Sequence, residues 1–182
     1  MSEALVETNL PLANKRQGKV RDLYDITLPD GTEGLLIIAS DRVSVFDVVL
    51  ANGVPGKGVL LTRVAQFWFN FFAATVKHHL ISTDSADIPG ISDQDKQMLK
   101  GRIMICRKTR VVPIESIVRG YITGSGWKDY RKSGKVCGID LPTGLQNSSK
   151  LAQPLFTPST KADEGHDENI SFEQTVDLLG EE

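Results

Sequence analysis

The sequence predicts an α+β protein, because it combines the period-two alternation typical of strands with one long stretch at helical spacing. Residues 18–26 and 102–112 alternate apolar with polar side chains, and residues 35–39 form a short apolar run typical of a buried strand. From residue 59 to residue 80 the apolar side chains recur at helical spacing. The predicted architecture is therefore an antiparallel sheet with one long packed helix.

The first two strands are predicted to form a β-hairpin. Pro29, Asp30 and Gly31 separate strand 18–26 from strand 35–39, and these residue types are a strong turn signal. The loop is somewhat longer than a minimal hairpin turn.

The long helix carries a stripe of large apolar side chains, called here the apolar stripe. It consists of Leu60, Val64, Phe67, Trp68, Phe71 and Phe72. We interpret it as a face that packs on the core, in preference to a cofactor-binding box. His78 and His79 fall near the predicted helix end, where positive charge suits the dipole, and are interpreted as structural.

The later elements are predicted to be shorter. Capping signals indicate helices over residues 92–99, 126–132 and 171–179. Pro113 removes a backbone donor, which fits a sheet edge or a crossover between lobes. Prolines, glycines and serines make residues 138–160 a predicted long irregular connection, and ordered loops of that length are usually functional.

Composition and charge exclude several classes of protein. A chain of 182 residues with 40% hydrophobic and 24% charged residues suits one large soluble domain or two small lobes. A net charge of −2 gives no reason to expect nucleic acid or an anionic membrane as a partner. Only two cysteines are present, and neither a signal peptide nor a bilayer-spanning segment is evident. The expected location is the cytoplasm.

The first polar cluster is the run from Gly18 to Arg21. Lys19 and Arg21 are alternate residues, so on a strand they would share one face, and Gly18 permits close approach of the backbone. Two cations on one face of a hairpin suit the phosphates of a nucleotide, as in a kinase-type lid. A solvent-facing charged strand is the alternative.

The second cluster, residues 40–47, follows the buried strand 35–39. Its acids, hydroxyls and one cation are typical of the rim of a site. Asp47 could position an amine, a sugar hydroxyl or a metal. Asp41 and Arg42 could instead simply pair or cap.

The third cluster, residues 111–125, places Glu115 and Arg119 ahead of a glycine-rich turn that holds Ser125. The guanidinium offers a rigid fork of donors, and glycines let backbone N–H groups approach the same anion. This pattern indicates an oxyanion site. The alternative is an edge strand and loop, with Arg119 in an ordinary ion pair.

The fourth cluster, residues 156–169, mixes Lys161 with hydroxyls, His166 and several acids. Acids near a lysine suit the handling of magnesium and phosphate, although a solvated loop has the same composition. The patterns HExxH, GxGxxG and GxxxxGK[ST] are absent, as is a Ser-His-Asp order, so a P-loop is not expected.

Taken in order, the four clusters resemble the phosphoribosylaminoimidazole-succinocarboxamide synthases (SAICAR synthetases) of purine biosynthesis. The family signature is an apolar pair, Pro, aliphatic, Glu, any residue, two aliphatics, Arg, three residues, Thr or Ala, Gly and Ser. Residues 111–125 meet it in full. Residues 18–25, 40–47 and 156–161 also match, and the resemblance extends from residue 12 to the end of the sequence.

The resemblance implies an ATP-dependent ligase. Such an enzyme joins the carboxylate of carboxyaminoimidazole ribotide (CAIR) to the amine of L-aspartate, through a phosphorylated carboxylate, and gives SAICAR, ADP and phosphate. ATP and Mg²⁺ would be the cofactors, and the partners would be small molecules. The implied fold is a kinase-like N-terminal lobe over residues 1–112, followed by the start of an ATP-grasp-like, substrate-binding lobe over residues 113–182.

The resemblance also implies roles in nucleotide binding. Lys19 and Arg21 would contact the phosphates of ATP from the hairpin. Arg107 and Thr109 would bound the link between lobes that binds adenine through backbone groups. Glu115 would either serve the nucleotide ribose or brace the neighbouring arginine.

For the substrate, the resemblance implies that Arg119 and Ser125 hold the phosphate of the ribotide. Asp47 would face the imidazole and is one of two candidate catalytic residues. The other is Lys161, which would sit near the reacting phosphates with Asp167 beside it.

One family feature is missing. A second signature, Asp-x-Lys-aliphatic-Glu-Phe-Gly, and a later Ser- or Thr-Pro-Asp motif supply magnesium ligands in the family, and neither occurs in this sequence. The chain therefore resembles the N-terminal part of a longer member, and no metal ligand is assigned in it. Two alternatives stay open, a non-catalytic nucleotide- and ribotide-binding fragment, or a small-molecule kinase with a similar lid.

Overall fold

The computed structural model describes residues 3–161 and 167–180, and in these ranges it shows four α-helices and antiparallel strand pairs. Residues 162–166 of the fourth cluster lie outside the described residues. Backbone contacts divide the chain into two compact units, residues 1–109 and 110–182. The predicted mixture of helices with an antiparallel sheet is confirmed. Within the described ranges, no helix combines the length and the apolar character needed to cross a membrane.

The first unit is built on a five-stranded antiparallel sheet with the strand order β1-β2-β3-β7-β6. In chain order, the elements of this unit are β1 (Ala13–Gln17), β2 (Arg21–Thr27), β3 (Glu33–Ala39), β4 (Ser44–Val45), β5 (Val48–Val49), α1 (Lys57–Phe72), β6 (Leu80–Ser82), α2 (Asp93–Leu99) and β7 (Ile103–Arg107). Strands β4 and β5 form a separate small hairpin.

The predicted hairpin is the pair β2 and β3, in which Arg21 lies opposite Ala39 and Thr27 opposite Glu33. Gly31 in its turn has a φ of 83°, which favours glycine, and its N–H donates to the carbonyl oxygen of Leu28 at 2.9 Å. The prediction from the turn signal is therefore confirmed. The sequence did not indicate β1, which pairs with the other edge of β2.

The core of the first unit lies on one face of this sheet. It is formed by alternate residues of the strands and by side chains from α2 and the loops, namely Leu10, Tyr24, Ile26, Leu36, Ile38, Ile88, Leu99, Ile103 and Ile105. Strict alternation in β2 also turns Asp22 inward, where its side chain is fully buried. Buried donors from Arg42 and Thr8 surround this carboxylate.

Two buried ion pairs hold the first unit together. Asp22 accepts hydrogen bonds from Arg42 at 2.7 Å and from the backbone and hydroxyl of Thr8 at 2.9 and 2.8 Å. Asp41 accepts from Arg102 at 3.1 Å. Burial alone would raise the pKa of Asp22, but the hydrogen bonds from Arg42 and Thr8 outweigh burial and lower the pKa below its ordinary value.

Acid is expected to destabilise the first unit through Asp22. Because its pKa is lower in the folded than in the unfolded chain, its contribution is present above the unfolded pKa of about 4 and is lost as pH falls through the folded pKa. Urea unfolding at pH 7, 5, 4 and 3 should show Asp22→Asn less stable than the natural chain at pH 7, with the difference shrinking below about pH 4. A difference that stays constant with pH would contradict this linkage.

Helix α1 differs from its prediction in both length and packing. It ends at Phe72, so His78 and His79 lie beyond it, in the segment that leads into β6. The prediction that the apolar stripe packs on the core is wrong within this chain, because each of its six side chains is between 45 and 64% exposed. Only Gly58 and Thr62 of α1 are buried. Periodicity shows that a helix has an apolar face, and it does not show that the covering surface is present.

The second unit contains short strand pairs and two helices. In chain order, its elements are β8 (Ile114–Glu115), β9 (Val118–Tyr121), α3 (Gly124–Ser133), β10 (Lys135–Val136), β11 (Ile139–Asp140), β12 (Lys150–Phe156), β13 (Ser159–Thr160) and α4 (Phe172–Leu179). Strand β9 pairs with β12, and β8 pairs with β13, both antiparallel. A small core of Ile122, Val136 and Leu151 lies beneath α3 and its neighbours.

The predicted irregular connection over residues 138–160 is wrong, because all of β11, β12 and β13 lie in it. Prolines, Pro154 among them, contributed to that prediction together with serines and glycines, since proline cannot donate to a strand ladder. In the structure, Pro154 lies in β12 where the register against β9 shifts between Lys150 and Leu155. A bulge of this kind accommodates a residue without an N–H.

The three shorter helices begin and end close to their predicted residues. Ser92 caps α2 by accepting from the N–H of Asp95 at 3.1 Å. Gly134 ends α3 with a φ of 71°, in the left-handed region. Ser171 and Gln174 form a capping box at the start of α4. These signals are local in sequence, which is why they could be predicted.

Candidate functional site

The first unit exposes a cation and an acid that contact each other across two hairpins. Lys19 lies in the turn between β1 and β2, and its Nζ is 2.6 Å from Oδ1 of Asp47, at the tip of the β4–β5 hairpin. Both side chains are more than half exposed. Arg21 is the first residue of β2 and is exposed. Lys19 precedes this strand, so the two cations do not share a strand face as the sequence predicts.

Arg42 stabilises the turn that carries Lys19 through hydrogen bonds to its backbone. The guanidinium donates to the carbonyl oxygens of Gly18 at 2.9 Å and Lys19 at 3.1 Å, and also to that of Val6. Asp22 fixes the same guanidinium from its other side. Arg42 is therefore a buried brace of the turn, and its predicted place on the rim of a site is wrong.

Asp41 is buried as well and does not line a rim. Its carboxylate accepts from the backbone N–H groups of Leu5 and Gly58, at 2.9 and 2.8 Å, in addition to Arg102. The alternative that Asp41 and Arg42 serve as pairing residues is correct, although they pair with Arg102 and Asp22 rather than with each other. Sequence spacing could not show these partners.

The tip of the β4–β5 hairpin has an unusual backbone. Phe46 and Asp47 have φ values of 48° and 66°, and Phe46 is 97% exposed. Positive φ at residues other than glycine costs of order 1 kcal/mol and is concentrated at functional sites. Asp47 is thus presented to solvent and to Lys19 by a turn that most sequences would not adopt.

The predicted adenine link lies at the end of the first unit. Arg107 is the last residue of β7, and its N–H already donates to the carbonyl oxygen of His79 at 2.8 Å. Thr109 is exposed and is the last residue of this unit. Between them, Lys108 pairs with Asp25 at 3.1 Å. The segment is therefore fixed to the sheet on one side and leaves an exposed backbone after β7.

In the second unit, Arg119 and Ser125 are brought together as the sequence predicts for an anion site. Nη2 of Arg119 donates to Oγ of Ser125 at 2.9 Å, and Nη1 donates to the carbonyl oxygen of Thr123 at 3.4 Å. Thr123 is the N-cap of α3 but forms no side-chain cap hydrogen bond. Cationic donors and the start of a ten-residue helix therefore meet at one place, an arrangement that favours a phosphate or carboxylate.

A glycine allows Arg119 to lie against α3. A Cβ at Gly126 would stand 3.1 Å from Nε and 3.2 Å from Cδ of Arg119. Nε of Arg119 is buried and has no hydrogen-bond partner among the described residues. Because a buried unpaired donor is costly, an acceptor supplied by a ligand would relieve it.

Asn169 and Asp129 extend this cluster, and sequence reasoning assigned no role to either. Oγ of Ser125 lies 3.4 Å from Oδ1 of Asn169, whose Nδ2 donates to Oδ2 of Asp129 at 2.6 Å. Asn169 is held in turn by a β-bridge to Ser159. One available signal was the i, i+4 spacing of Ser125 and Asp129, which puts both on one face of α3.

Lys161 and Glu115 form a separate pair in the second unit. Their Nζ and Oε1 atoms are 3.5 Å apart, and both side chains are about half exposed. The pairing follows from the β8–β13 ladder, because Ser159 lies opposite Glu115 and Lys161 donates its N–H to the carbonyl oxygen of Pro113 at 3.1 Å. Glu115 therefore contacts Lys161, while the guanidinium of Arg119 contacts Ser125 and Thr123.

The described residues do not fit a magnesium site. Across residues 3–161 and 167–180, no group of three or more histidine, cysteine, aspartate or glutamate side chains is placed to hold a metal ion. Asp167 is exposed, and its side chain already interacts with another group of the protein.

Comparison with known proteins agrees with the sequence motifs. A family model described as SAICAR synthetase matches residues 14–182. The phosphoribosylaminoimidazole-succinocarboxamide synthase of Thermodesulfovibrio yellowstonii is 51% identical over 183 residues, and that of Desulforapulum autotrophicum is 52% identical over 184 residues. Each match covers all of this chain and 61% of the relative, so the chain spans about three-fifths of the length of these relatives.

Solved structures show the same fold. The SAICAR synthase from Saccharomyces cerevisiae, solved in complex with SAICAR, is 39% identical, with a TM-score of 0.75. That match covers 99% of this chain and 59% of the yeast chain. A type-2 SAICAR synthetase at 21% identity has a TM-score of 0.62, which supports the likeness of fold.

Proposed function

The chain belongs to the SAICAR synthetase family, and from that premise we propose that it supplies the nucleotide lid and the ribotide-phosphate site of an ATP-dependent ligase. The proposed reaction joins the carboxylate of CAIR to the amine of L-aspartate and gives SAICAR, ADP and phosphate. In this proposal the first unit is a kinase-like lobe, and the second unit begins an ATP-grasp-like lobe. The observation that carries the proposal is the meeting of Arg119, Ser125 and the start of α3.

The chemistry requires an activated carboxylate, because a carboxylate is a poor electrophile. Transfer of the terminal phosphoryl group of ATP to a CAIR carboxylate oxygen forms an acyl phosphate and releases ADP. The aspartate amine then attacks the acyl carbon, and the C–O bond to phosphate breaks as the amide C–N bond forms. Catalysis of phosphoryl transfer is mostly positioning and charge stabilisation, so exposed cations such as Lys19 and Lys161 suit it.

Each candidate residue has a place in this scheme. Lys19 and Arg21 would contact the phosphates of ATP, and Lys161 would neutralise charge on the transferring phosphoryl group. Asp47 would face the imidazole of CAIR. Without substrates, Lys19 contacts Asp47 and Lys161 contacts Glu115. When substrates bind, each lysine would exchange its carboxylate partner for a phosphate.

The nucleotide, in the same proposal, would rest on the exposed backbone between Arg107 and Thr109. Glu115 would serve the ribose of the nucleotide, since its observed contact is with Lys161 and not with Arg119. Arg119 and Ser125 would bind the ribotide phosphate, and the unpaired Nε of Arg119 supports an anion at this place.

The test of the function is an assay on two forms of the protein. One is the 182-residue chain, and the other is the same chain continued with the segment by which the Thermodesulfovibrio yellowstonii relative exceeds it. We expect the extended form to consume ATP, CAIR and L-aspartate in equal amounts. Phosphorylated CAIR formed without loss of aspartate would favour the kinase alternative, and a folded extended form without turnover would contradict the proposal. The short form alone should bind SAICAR and turn over at most slowly.

Lys19 is expected to contribute to nucleotide affinity. Lys19→Ala should weaken binding of ADP by about tenfold, the loss of one charge-assisted hydrogen bond of ~1.5 kcal/mol. Lys15→Ala is a matched control, because Lys15 lies on β1 and pairs with Glu7 in the segment that precedes this strand. Isothermal titration of both variants measures the difference. Equal affinities in the two variants would remove Lys19 from the nucleotide site.

Asn169 is expected to position the hydroxyl of Ser125. Asn169→Ala should weaken binding of ribose 5-phosphate by about fivefold, since a neutral hydrogen bond contributes ~1 kcal/mol. Asn147→Ala, an exposed change in the same unit, is the control. NMR titration with ribose 5-phosphate, and with ribose as the ligand without phosphate, separates the two effects. A loss that is equal for ribose would contradict a role at the phosphate.

A further inference from the structure

The apolar stripe of α1 is a prominent feature of the first unit that the proposed function does not use. Its six side chains run along one helix of 16 residues and are all about half exposed or more. Single exposed apolar residues are normal on protein surfaces, but a contiguous stripe of this kind marks a surface that is covered in the working protein.

The stripe is an ordered surface with its own internal packing. The rings of Trp68 and Phe72 stack with centroids 5.7 Å apart, and those of Phe67 and Phe71 stack at 6.0 Å. Beside them lies an apolar cleft of about 320 Å³, lined by Ala65, Trp68, Phe69, Phe72, Val76 and His78. A partner side chain could therefore insert between the helix and the segment that follows it.

The stripe has the character of a permanent interface. Lys57 and Arg63 are the two charged residues of α1, and the second half of the helix carries none. Interfaces that form and dissociate keep polar rims and charged residues, whereas obligate ones resemble a domain core cut in half. The helix also has little else to fix it, because Gly58 and Thr62 are its buried residues, and helices of this length depend on packing for stability.

The relatives contain a segment that can fill this role. They match this chain over its full length and are longer, so that the match covers 61% of each and corresponds to their N-terminal part. In these relatives the remaining two-fifths is a segment of the same polypeptide. Because it is joined to the same polypeptide, its effective concentration greatly exceeds that of a second copy of the chain.

We propose that the apolar stripe of α1 is the docking face for the C-terminal two-fifths found in the longer relatives, which would present an apolar face of its own to Trp68, Phe71 and Phe72. A second copy of this chain is the competing occupant. Packing at this face does not depend on which reaction the enzyme catalyses.

Hydrogen exchange of the two forms described above tests the proposal. We expect the amides of residues 57–72 to exchange at least about tenfold more slowly in the extended form than in the 182-residue chain, at protein concentrations where both are monomeric. Unchanged exchange in a folded extended form would overturn the proposal. The short form could instead show slow exchange only at high protein concentration, where its measured mass is that of a dimer. That result would assign the face to a second copy of the chain.

The double substitution Trp68→Lys and Phe71→Lys provides a second test of the docking face. In the short chain it should leave the circular dichroism spectrum unchanged and raise solubility, because both side chains are exposed there. In the extended form it should abolish the slow exchange of residues 57–72. Ile81→Lys, at an exposed apolar residue of β6, is the matched control and should leave the exchange slow. Equal effects of the stripe and control variants would contradict the assignment.

Discussion

Replacing Asp41 by alanine is expected to lower the free energy of unfolding of the first unit by about 3–5 kcal/mol, the cost of breaking a buried ion pair. The carboxylate is fully buried and accepts from Arg102 and from the backbone N–H groups of Leu5 and Gly58. Alanine would leave a buried guanidinium without its counter-charge and two buried donors without an acceptor. Nε of Arg102 already has no partner among the described residues.

The effect should extend to α1, because the N–H of Gly58 in its first turn donates to Asp41. A Cβ on Gly58 would stand 2.1 Å from the carbonyl oxygen of Ala39, so the helix start and β3 are in close contact there. Loss of Asp41 would therefore loosen the start of α1 from the sheet. We expect faster hydrogen exchange at residues 57–62 in the Asp41→Ala variant.

Urea unfolding with two companion variants measures the effect. Asp41→Asn keeps an acceptor while removing the charge and should fall between the natural chain and alanine. Asp140→Ala removes an exposed partner of Lys135 and should change stability by less than about 0.5 kcal/mol. If Asp41→Ala were as mild as Asp140→Ala, the buried pair would not be holding the unit together.

Local sequence signals predicted the elements that depend on local chemistry. Pro29, Asp30 and Gly31 predict the β2–β3 hairpin, and Ser92 and Ser171 predict the first turns of α2 and α4, because turns and caps are made by residues a few positions apart. The long strand β12 escaped prediction for the converse reason. Its pairing with β9 and its bulge at Pro154 depend on a distant strand.

Distance in sequence also limited what could be predicted of the site. The motif of residues 111–125 contains both Arg119 and Ser125, which contact each other across six positions. Asn169 is 44 positions from Ser125, and Asp47 is 28 positions from Lys19. No periodicity connects such residues, and only folding brings them together.

Burial was the other quantity that residue type could not decide. Charged Asp22 is buried because Arg42 and Thr8 satisfy its oxygens, whereas apolar Phe71 is 64% exposed although it lies on the apolar stripe of α1. A side chain's polarity gives the cost of burying it, and the presence of partners decides whether that cost is met.

Replacing Arg119 by alanine is expected to weaken binding of ribose 5-phosphate by about 100-fold, which corresponds to ~3 kcal/mol for lost hydrogen bonds to a charged group. The guanidinium offers the phosphate its unpaired Nε and the Nη2 that contacts Ser125. Arg119→Lys keeps the charge but has no planar fork, so it should recover only part of the affinity, leaving a loss of about tenfold.

The specificity of that loss decides the assignment of the site. Arg131→Ala changes an exposed cation in the last turn of α3, so it matches the change in net charge and should leave ribose 5-phosphate affinity within about twofold, as screened surface charges contribute little. Binding of ADP should be unchanged by Arg119→Ala, provided that the thermal unfolding midpoint shows an intact fold. Equal losses for Arg119→Ala and Arg131→Ala would mean that general charge attracts the phosphate. A loss confined to Arg119 and to the phosphorylated sugar means that the fork beside α3 binds the ribotide.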